Sequence, residues 1–269
     1  MDLGLDGKVA IVSGGSSGLG LAAAAELASE GAHVAIGARD PERLAAAERV
    51  IKDRALGRVH ASRVDITDQA AARQWVDDVA ADFGALHVVL VSGGSPPFGP
   101  ATGFGVAGYE AATSQVLLPA VNLTLAALPH LRAAGWGRLL YIASETACVP
   151  VPALALSGVT RAALVRFAQG VAADVGRDKI TVNVLAPSGT RTPPMERVAA
   201  RIAGAGDGDV EAALRSMGAH SAVGRLARPD EVAAMAVFLA SERASFVTGV
   251  VHLIDGGASV ASSPEYLTS

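Results

Sequence analysis

Ser13–Gly20, reading Ser-Gly-Gly-Ser-Ser-Gly-Leu-Gly, constrains this chain more than any other stretch. An apolar run, Val9–Val12, enters it, and an Ala- and Leu-rich segment, Leu21–Ala28, leaves it. The pattern reads as strand, tight glycine turn, helix. Glycines at 14, 18 and 20 let the backbone turn sharply and approach a ligand with no Cβ in the way. The helix that follows aims free N–H groups and a positive dipole end at the same spot, a seat for a pyrophosphate. A plain strand-to-helix turn also satisfies these residues, so the remaining sequence has to discriminate.

Short apolar runs alternate with longer helical patterns along the chain. Strands are expected at Val9–Ser13, His33–Gly37, Val59–Val64, His87–Val91, Arg138–Ala143, Ile180–Leu185 and Val250–Ile254. Helices are expected at Ser17–Ser29, Pro41–Ala55, from Asp68 to about Phe83, Tyr109–Ala134, Ala155–Val175 and Pro229–Ala240. Asp40 and Asp68 read as N-caps. The alternation predicts a single-domain α/β fold over residues 1–269, a doubly wound parallel sheet of about seven strands. Composition agrees: 51% of residues are hydrophobic but only 4% aromatic, so the core is aliphatic. In such sheets ligands bind beyond the C-terminal strand ends. The informative residues are then Gly14–Gly20, Ala38-Arg39, Asp65, Ser92–Gly94, Ser144 and Pro187. Thr190–Arg228 alone breaks the alternation. It reads as a lid over the site or as a disordered surface excursion.

Other classes of function are disfavoured. Net charge is −4 without a basic block, which gives no nucleic-acid footprint. The single cysteine, Cys148, rules out an intramolecular disulfide and a cysteine-clustered zinc site, and no metal is expected. Met1–Lys8 carries Asp2 and Asp6 and does not read as a signal peptide. Apolar stretches of about 20 residues are interrupted by Gly, Pro or charge, so no membrane partner is expected. A cytoplasmic location fits these features.

With its sequence of downstream motifs, the chain resembles the short-chain dehydrogenase/reductase family from about Leu5 to Gly257. Ser13-Gly14-x-x-x-Gly18-x-Gly20 matches the family's glycine turn, with Ser for Thr. Val64-Asp65 matches its adenine-binding aspartate, Asn122 its structural asparagine and Ser144 its catalytic serine. Asn183–Pro187 matches the segment that approaches the nicotinamide, and Thr192 the threonine that meets the carboxamide. Gly224-Arg225, Pro229-x-Glu231, Thr248-Gly249 and Asp255-Gly-Gly257 match the C-terminal signature. The resemblance implies a Rossmann-type fold, a nicotinamide dinucleotide, a small-molecule carbonyl or alcohol substrate, and self-association into a homodimer or homotetramer.

The implied cofactor contacts are Ser13, Gly14, Ser16, Ser17, Gly18, Leu19, Gly20, Arg39, Asp65, Ser92, Gly93, Arg161, Pro187 and Thr192. Where an acid would accept from a ribose 2′-hydroxyl, the chain has Ala38 and then Arg39. An arginine fork suits a 2′-phosphate, so NADP(H) is favoured over NAD(H). Strand four departs from the family: Asn-Asn-Ala-Gly becomes Val91-Ser92-Gly93-Gly94.

The catalytic line departs further. The family's Tyr and Lys fall on Ser157 and Arg161, and Ser157–Leu164 aligns without a gap. The implied catalytic set is therefore Ser144, Asn122, Ser157 and Arg161. Ser157 is a far weaker acid than a phenol, whose reference pKa is about 10. Arg161 cannot act as an acid but can still donate to ribose hydroxyls. Ser144 can still hold a substrate oxygen, and candidates to replace the tyrosine are Glu145, Tyr109 and His220, each of which also has an ordinary structural reading. Tyr141 reads as core and Cys148 as inert. Ser-x-x-x-Arg and Gly135-Trp136-Gly137-Arg138 resemble a divergent subgroup similar to β-ketoacyl-carrier-protein reductases. Three functions stay open: an NADP(H)-dependent oxidoreductase, a non-redox enzyme (dehydratase, cyclase or hydrolase), and a catalytically silent dinucleotide-binding protein.

Overall fold

The computed structural model describes residues 2–204 and 208–261. Its seven strands are β1 (Val9–Ser13), β2 (His33–Ala38), β3 (Val59–Arg63), β4 (Val88–Val91), β5 (Gly137–Ile142), β6 (Ile180–Pro187) and β7 (Val251–Ile254). All pair in parallel, in the order β3-β2-β1-β4-β5-β6-β7. Eight main helices alternate with them: α1 (Gly18–Ser29), α2 (Pro41–Lys52), α3 (Gln69–Phe83), α4 (Val106–Ala134), α5 (Ala155–Val175), α6 (Pro193–Ala203), α7 (Val210–Gly218) and α8 (Pro229–Ala240).

The aliphatic strands bury both faces because successive side chains point oppositely. Ala10 and Val12 enter one core with Leu27 of α1, Leu44 of α2 and Val237 of α8. Ile11, between them, enters the other with Trp75 of α3, Leu131 of α4 and Leu164 of α5. The predicted caps hold. Asp40 accepts from the N–H groups of Glu42 and Arg43, and Asp68 from those of Ala70 and Ala71.

Several boundaries shift by one residue from the sequence expectation, and three shift by more. α2 ends at Lys52 rather than Ala55. β6 continues to Pro187, because Pro187 still lies opposite Ile254 of β7. α4 starts at Val106, on an extended Gly105, rather than at Tyr109. Pro119 and Pro129 lie inside α4 instead of interrupting it. By length and composition alone this helix could cross a membrane, whereas the sequence reading expected no such segment. Here it packs against α3, α5 and the sheet, with Leu123, Ala127 and Leu131 buried.

Residues 190–228, expected as a lid or an excursion, contain α6 and α7. These form a helical hairpin around Ala199, Ala213 and Leu214. Arg191 clamps it by donating to Glu196 and Glu211. Its centre, 205–207, lies outside the described residues, as do Met1 and 262–269. The Gly135–Arg138 motif sits at the opposite end of the sheet from the glycine turn. The Arg138 guanidinium stacks 4.0 Å from the Trp136 ring centroid and donates to the Ser241 carbonyl, a structural role.

Candidate active site

The crevice opens where the strand order reverses, between β1 and β4, whose following helices cover opposite faces. Ser13 Oγ donates to the Ser92 carbonyl at 3.2 Å and accepts from the Ser92 N–H at 3.1 Å. Ser13 is fully buried, so its side chain is not a cofactor contact as the resemblance implied. It pins the two strand ends together. Gly14 follows with φ +63°, and a Cβ there would lie 2.5 Å from the Ser92 carbonyl oxygen. A Cβ on Gly20 would strike the Gly14 carbonyl. Only glycine lets the turn close this tightly on the start of α1. Ser17 is the extended N-cap of α1 and makes no side-chain capping bond, so the first N–H groups face the crevice without an internal partner. Ser16 is part-exposed beside it, and Leu19 packs against the core of that face.

Across the crevice, Thr192 stands over the turn: a Cβ on Gly18 would meet its side chain at 3.4 Å. Thr192 Oγ1 donates to the Thr190 carbonyl and begins α6, so the hairpin reaches the glycine turn directly. A Cβ on Gly93 would meet nothing within 4 Å, leaving open space after β4. Arg39 is exposed at the end of β2. Beside it, the Asp65 carboxyl is held below the usual range, chiefly by the Thr67 N–H, with the Arg39 charge contributing. Asp65 Oδ1 accepts from Thr67 N and Oγ1, so one carboxyl oxygen shapes the turn.

Ser144 leaves β5 and caps a 3-10 turn, Glu145–Ala147, its Oγ accepting from the Thr146 N–H at 3.2 Å. Thr146 Oγ1 pairs with Ser157 Oγ of α5 at 3.1 Å. Ser144, Thr146 and Ser157 are thus one constellation. Sequence reasoning missed Thr146, whose only signal was its place two residues after Ser144. Asn122 is not part of it. Its Nδ2 donates to the Ile66 carbonyl at 3.2 Å and braces the turn that carries Asp65. Pro187 ends β6 fully within the sheet.

Arg161 departs most from expectation. It is buried, and its guanidinium donates to the carbonyls of Ile142 at 2.6 Å, Gly94 at 2.8 Å and Gly93 at 3.3 Å. Its donors therefore tie the end of β5 to the loop after β4 instead of projecting toward a ribose. Nε has no partner among the described residues, and burial pushes the guanidinium down to about 10.

The stand-in acids separate clearly. The Tyr109 hydroxyl donates to the Ala101 carbonyl at the exposed start of α4. The Tyr141 hydroxyl shares a bond with Thr124 Oγ1 deep in the core, where burial pushes its pKa above the ordinary range. Cys148 and His220 are exposed. Glu145 is half-buried, and desolvation raises its carboxyl. A cavity of about 480 Å³ opens elsewhere, between β3 and α3, and is lined by none of the candidate residues.

The crevice fits a dinucleotide on structural grounds. The glycine turn closes too tightly to admit a Cβ at Gly14 or Gly20, the α1 N-terminus is uncapped by a side chain, and the space beside Gly93 is open. Comparison with known proteins agrees. A family model described as Enoyl-(Acyl carrier protein) reductase matches residues 14–259. Cis-4-hydroxycyclohexanecarboxylate dehydrogenase of Sinomonas cyclohexanicum is 34% identical over 253 residues, 93% of this chain and 96% of that protein. Dehydrogenase/reductase SDR family member 4 of Caenorhabditis elegans is 30% identical, covering 94% of this chain and 95% of its own. The crystal structure of L-sorbose reductase from Gluconobacter frateurii, complexed with NADPH and L-sorbose, superposes with a TM-score of 0.92 at 33% identity. That superposition covers 96% of this chain and 98% of that one. Fold, glycine turn and these similarities agree: the chain belongs to the short-chain dehydrogenase/reductase family.

Proposed function

We propose that this protein is an NADP(H)-dependent oxidoreductase interconverting a small-molecule alcohol and its carbonyl. The observation that carries the reading is the pairing of an intact dinucleotide crevice with Ser144 at its catalytic end. The Gly14–Gly20 turn and the α1 N-terminus hold the pyrophosphate. Arg39, exposed beside Asp65, pairs with the 2′-phosphate, and Asp65 Oδ2 remains for the adenine side. Gly93, Pro187 and Thr192 border the nicotinamide end. When bound, the nicotinamide supplies or accepts a hydride. Ser144 Oγ orients the substrate oxygen by hydrogen bonding, and the α6–α7 hairpin excludes water as a lid. Ser157 and Arg161 mark the divergent β-ketoacyl-carrier-protein-reductase-like subgroup. Exposed Leu118 and Leu125 on α4 and Val159 on α5 support association with further copies of the chain.

The test is a calorimetric titration with NADPH and NADH, followed by NADPH oxidation against a ketone panel that includes L-sorbose. Tighter NADPH binding and turnover that collapses in Ser144→Ala support the reading. Equal affinities, or turnover indifferent to Ser144→Ala, overturn it. One observation favours a second reading, a catalytically silent dinucleotide-binding protein. The Ser157 hydroxyl and the Arg161 guanidinium are both engaged by neighbouring protein groups. NADPH binding without turnover on any ketone would select that reading.

A further inference from the structure

Reduction of a ketone needs a proton at the oxygen, and the family's tyrosine is absent. We propose that Glu145 delivers and withdraws that proton, an inference that rests on the oxidoreductase reading. Its place is fixed. Glu145 directly follows Ser144 at the exit of β5 and opens a turn held at several points. The Ala147 N–H donates to the Ser144 carbonyl, the Cys148 and Val149 N–H groups donate to the Glu145 carbonyl, and Thr146 is tied to Ser157. The carboxyl itself is half-buried and makes no hydrogen bond or ion pair among the described residues. It is therefore free to meet a ligand.

Two titratable groups act on it, from different elements: His220, beyond the end of α7, and Asp255, after β7. Asp255 is itself engaged, accepting from the N–H groups of Gly257 and Ser259 at 2.9 Å each. Burial has the largest effect on Glu145 and favours its protonated form. His220 opposes burial, and Asp255 adds to it. A carboxyl whose protonated form is favoured by burial suits a general acid. The competing groups are removed by geometry: Tyr109 bonds Ala101, Tyr141 is buried on Thr124, and Cys148 and His220 are exposed.

The step balances. With NADPH as reductant, a C–H bond of its dihydronicotinamide would break to leave NADP+, as the hydride forms a C–H bond at the carbonyl carbon and the C=O π pair moves onto oxygen. The Glu145 O–H bond breaks as the alcohol O–H bond forms. The resulting carboxylate regains a proton from solvent. Oxidation runs the same steps in reverse, with Glu145 as base.

The experiment compares wild type, Glu145→Gln and Glu145→Asp with NADPH and the fastest ketone of the panel. NADPH affinity is measured alongside the kcat–pH profile. A third readout is a ¹³C NMR titration of the Glu145 carboxyl in the NADPH complex, assigned by difference from Glu145→Gln. The proposal expects Glu145→Gln to lose about 10²–10⁴-fold in kcat at unchanged NADPH affinity. Wild-type reduction should fall as Glu145 deprotonates, that limb vanishing in Glu145→Gln and surviving at reduced rate in Glu145→Asp. A Glu145→Gln rate near wild type, a persistent limb, or a Glu145 carboxyl titrating in the ordinary range would overturn it. A wild type that binds NADPH yet reduces no ketone overturns the underlying oxidoreductase reading, and the inference with it.

Discussion

Arg161 is a buried cation held by the protein's own backbone carbonyls. A lysine there has one ammonium, whereas the guanidinium fork reaches carbonyls from two strand ends at once. Each such charge-assisted bond contributes about 1.5–3 kcal/mol, set against the cost of burying the cation. Arg161→Met should therefore destabilise the protein by roughly 2 kcal/mol in urea unfolding and weaken NADPH binding, because the Gly93–Gly94 loop loses its tether. Arg161→Lys should not improve turnover. Arg39 makes the opposite case: it is exposed, and on the proposed NADP(H) reading it meets the 2′-phosphate. Arg39→Ala should weaken NADPH about 10–100-fold and leave NADH nearly unchanged in calorimetry, as expected for loss of a charge-assisted pair. Glu145 carries a pH signature. Burial raises its pKa in the folded state, so the folded state binds more protons than the unfolded state. Stability contributed at low pH is then lost as pH rises from the unfolded value through the raised one. Glu145→Gln should raise Tm at pH 8 and leave it unchanged near pH 4, read by calorimetry.

The elements differ in how far local sequence determined them. The strands and the N-caps at Asp40 and Asp68 were legible because alternation and capping are local chemistry. The start of α4 was not, since a Gly/Pro-rich approach carries no hydrophobic period and the helix begins on Gly105. α6 and α7 were hidden in a polar, Gly-rich stretch, because each buries too few residues to stand out. The positions of Ser144, Ser157 and Arg161 followed from motif spacing. The partners of Arg161 did not, because Gly93 and Gly94 lie 68 and 67 residues away in sequence. Ser13 and Asn122 sit at the expected positions, yet their hydroxyl and amide are taken up by Ser92 and Ile66, contacts that no single-chain pattern announces. The α6–α7 hairpin has a small core of its own, separate from the two sheet cores. Leu214→Ala should therefore speed hydrogen exchange across both helices and leave global Tm nearly unchanged. A large fall in Tm would show that the hairpin is integral to the main fold.

At the scale of the molecule, two aliphatic cores hold a parallel sheet rigid, and the ligand crevice forms where its strand order reverses. That arrangement makes dinucleotide binding a property of the scaffold. Hydride transfer, on the proposed function, depends on a few side chains, Ser144 among them. The two are separable by experiment. NADPH deuterated at the transferable position of the nicotinamide, incubated with the ketone that wild type reduces fastest, reports the chemistry itself by mass spectrometry of the product. The account predicts deuterium on the carbinol carbon of the alcohol and its disappearance in Ser144→Ala. Saturating NADPH binding with no deuterium transferred to any ketone of the panel would contradict it.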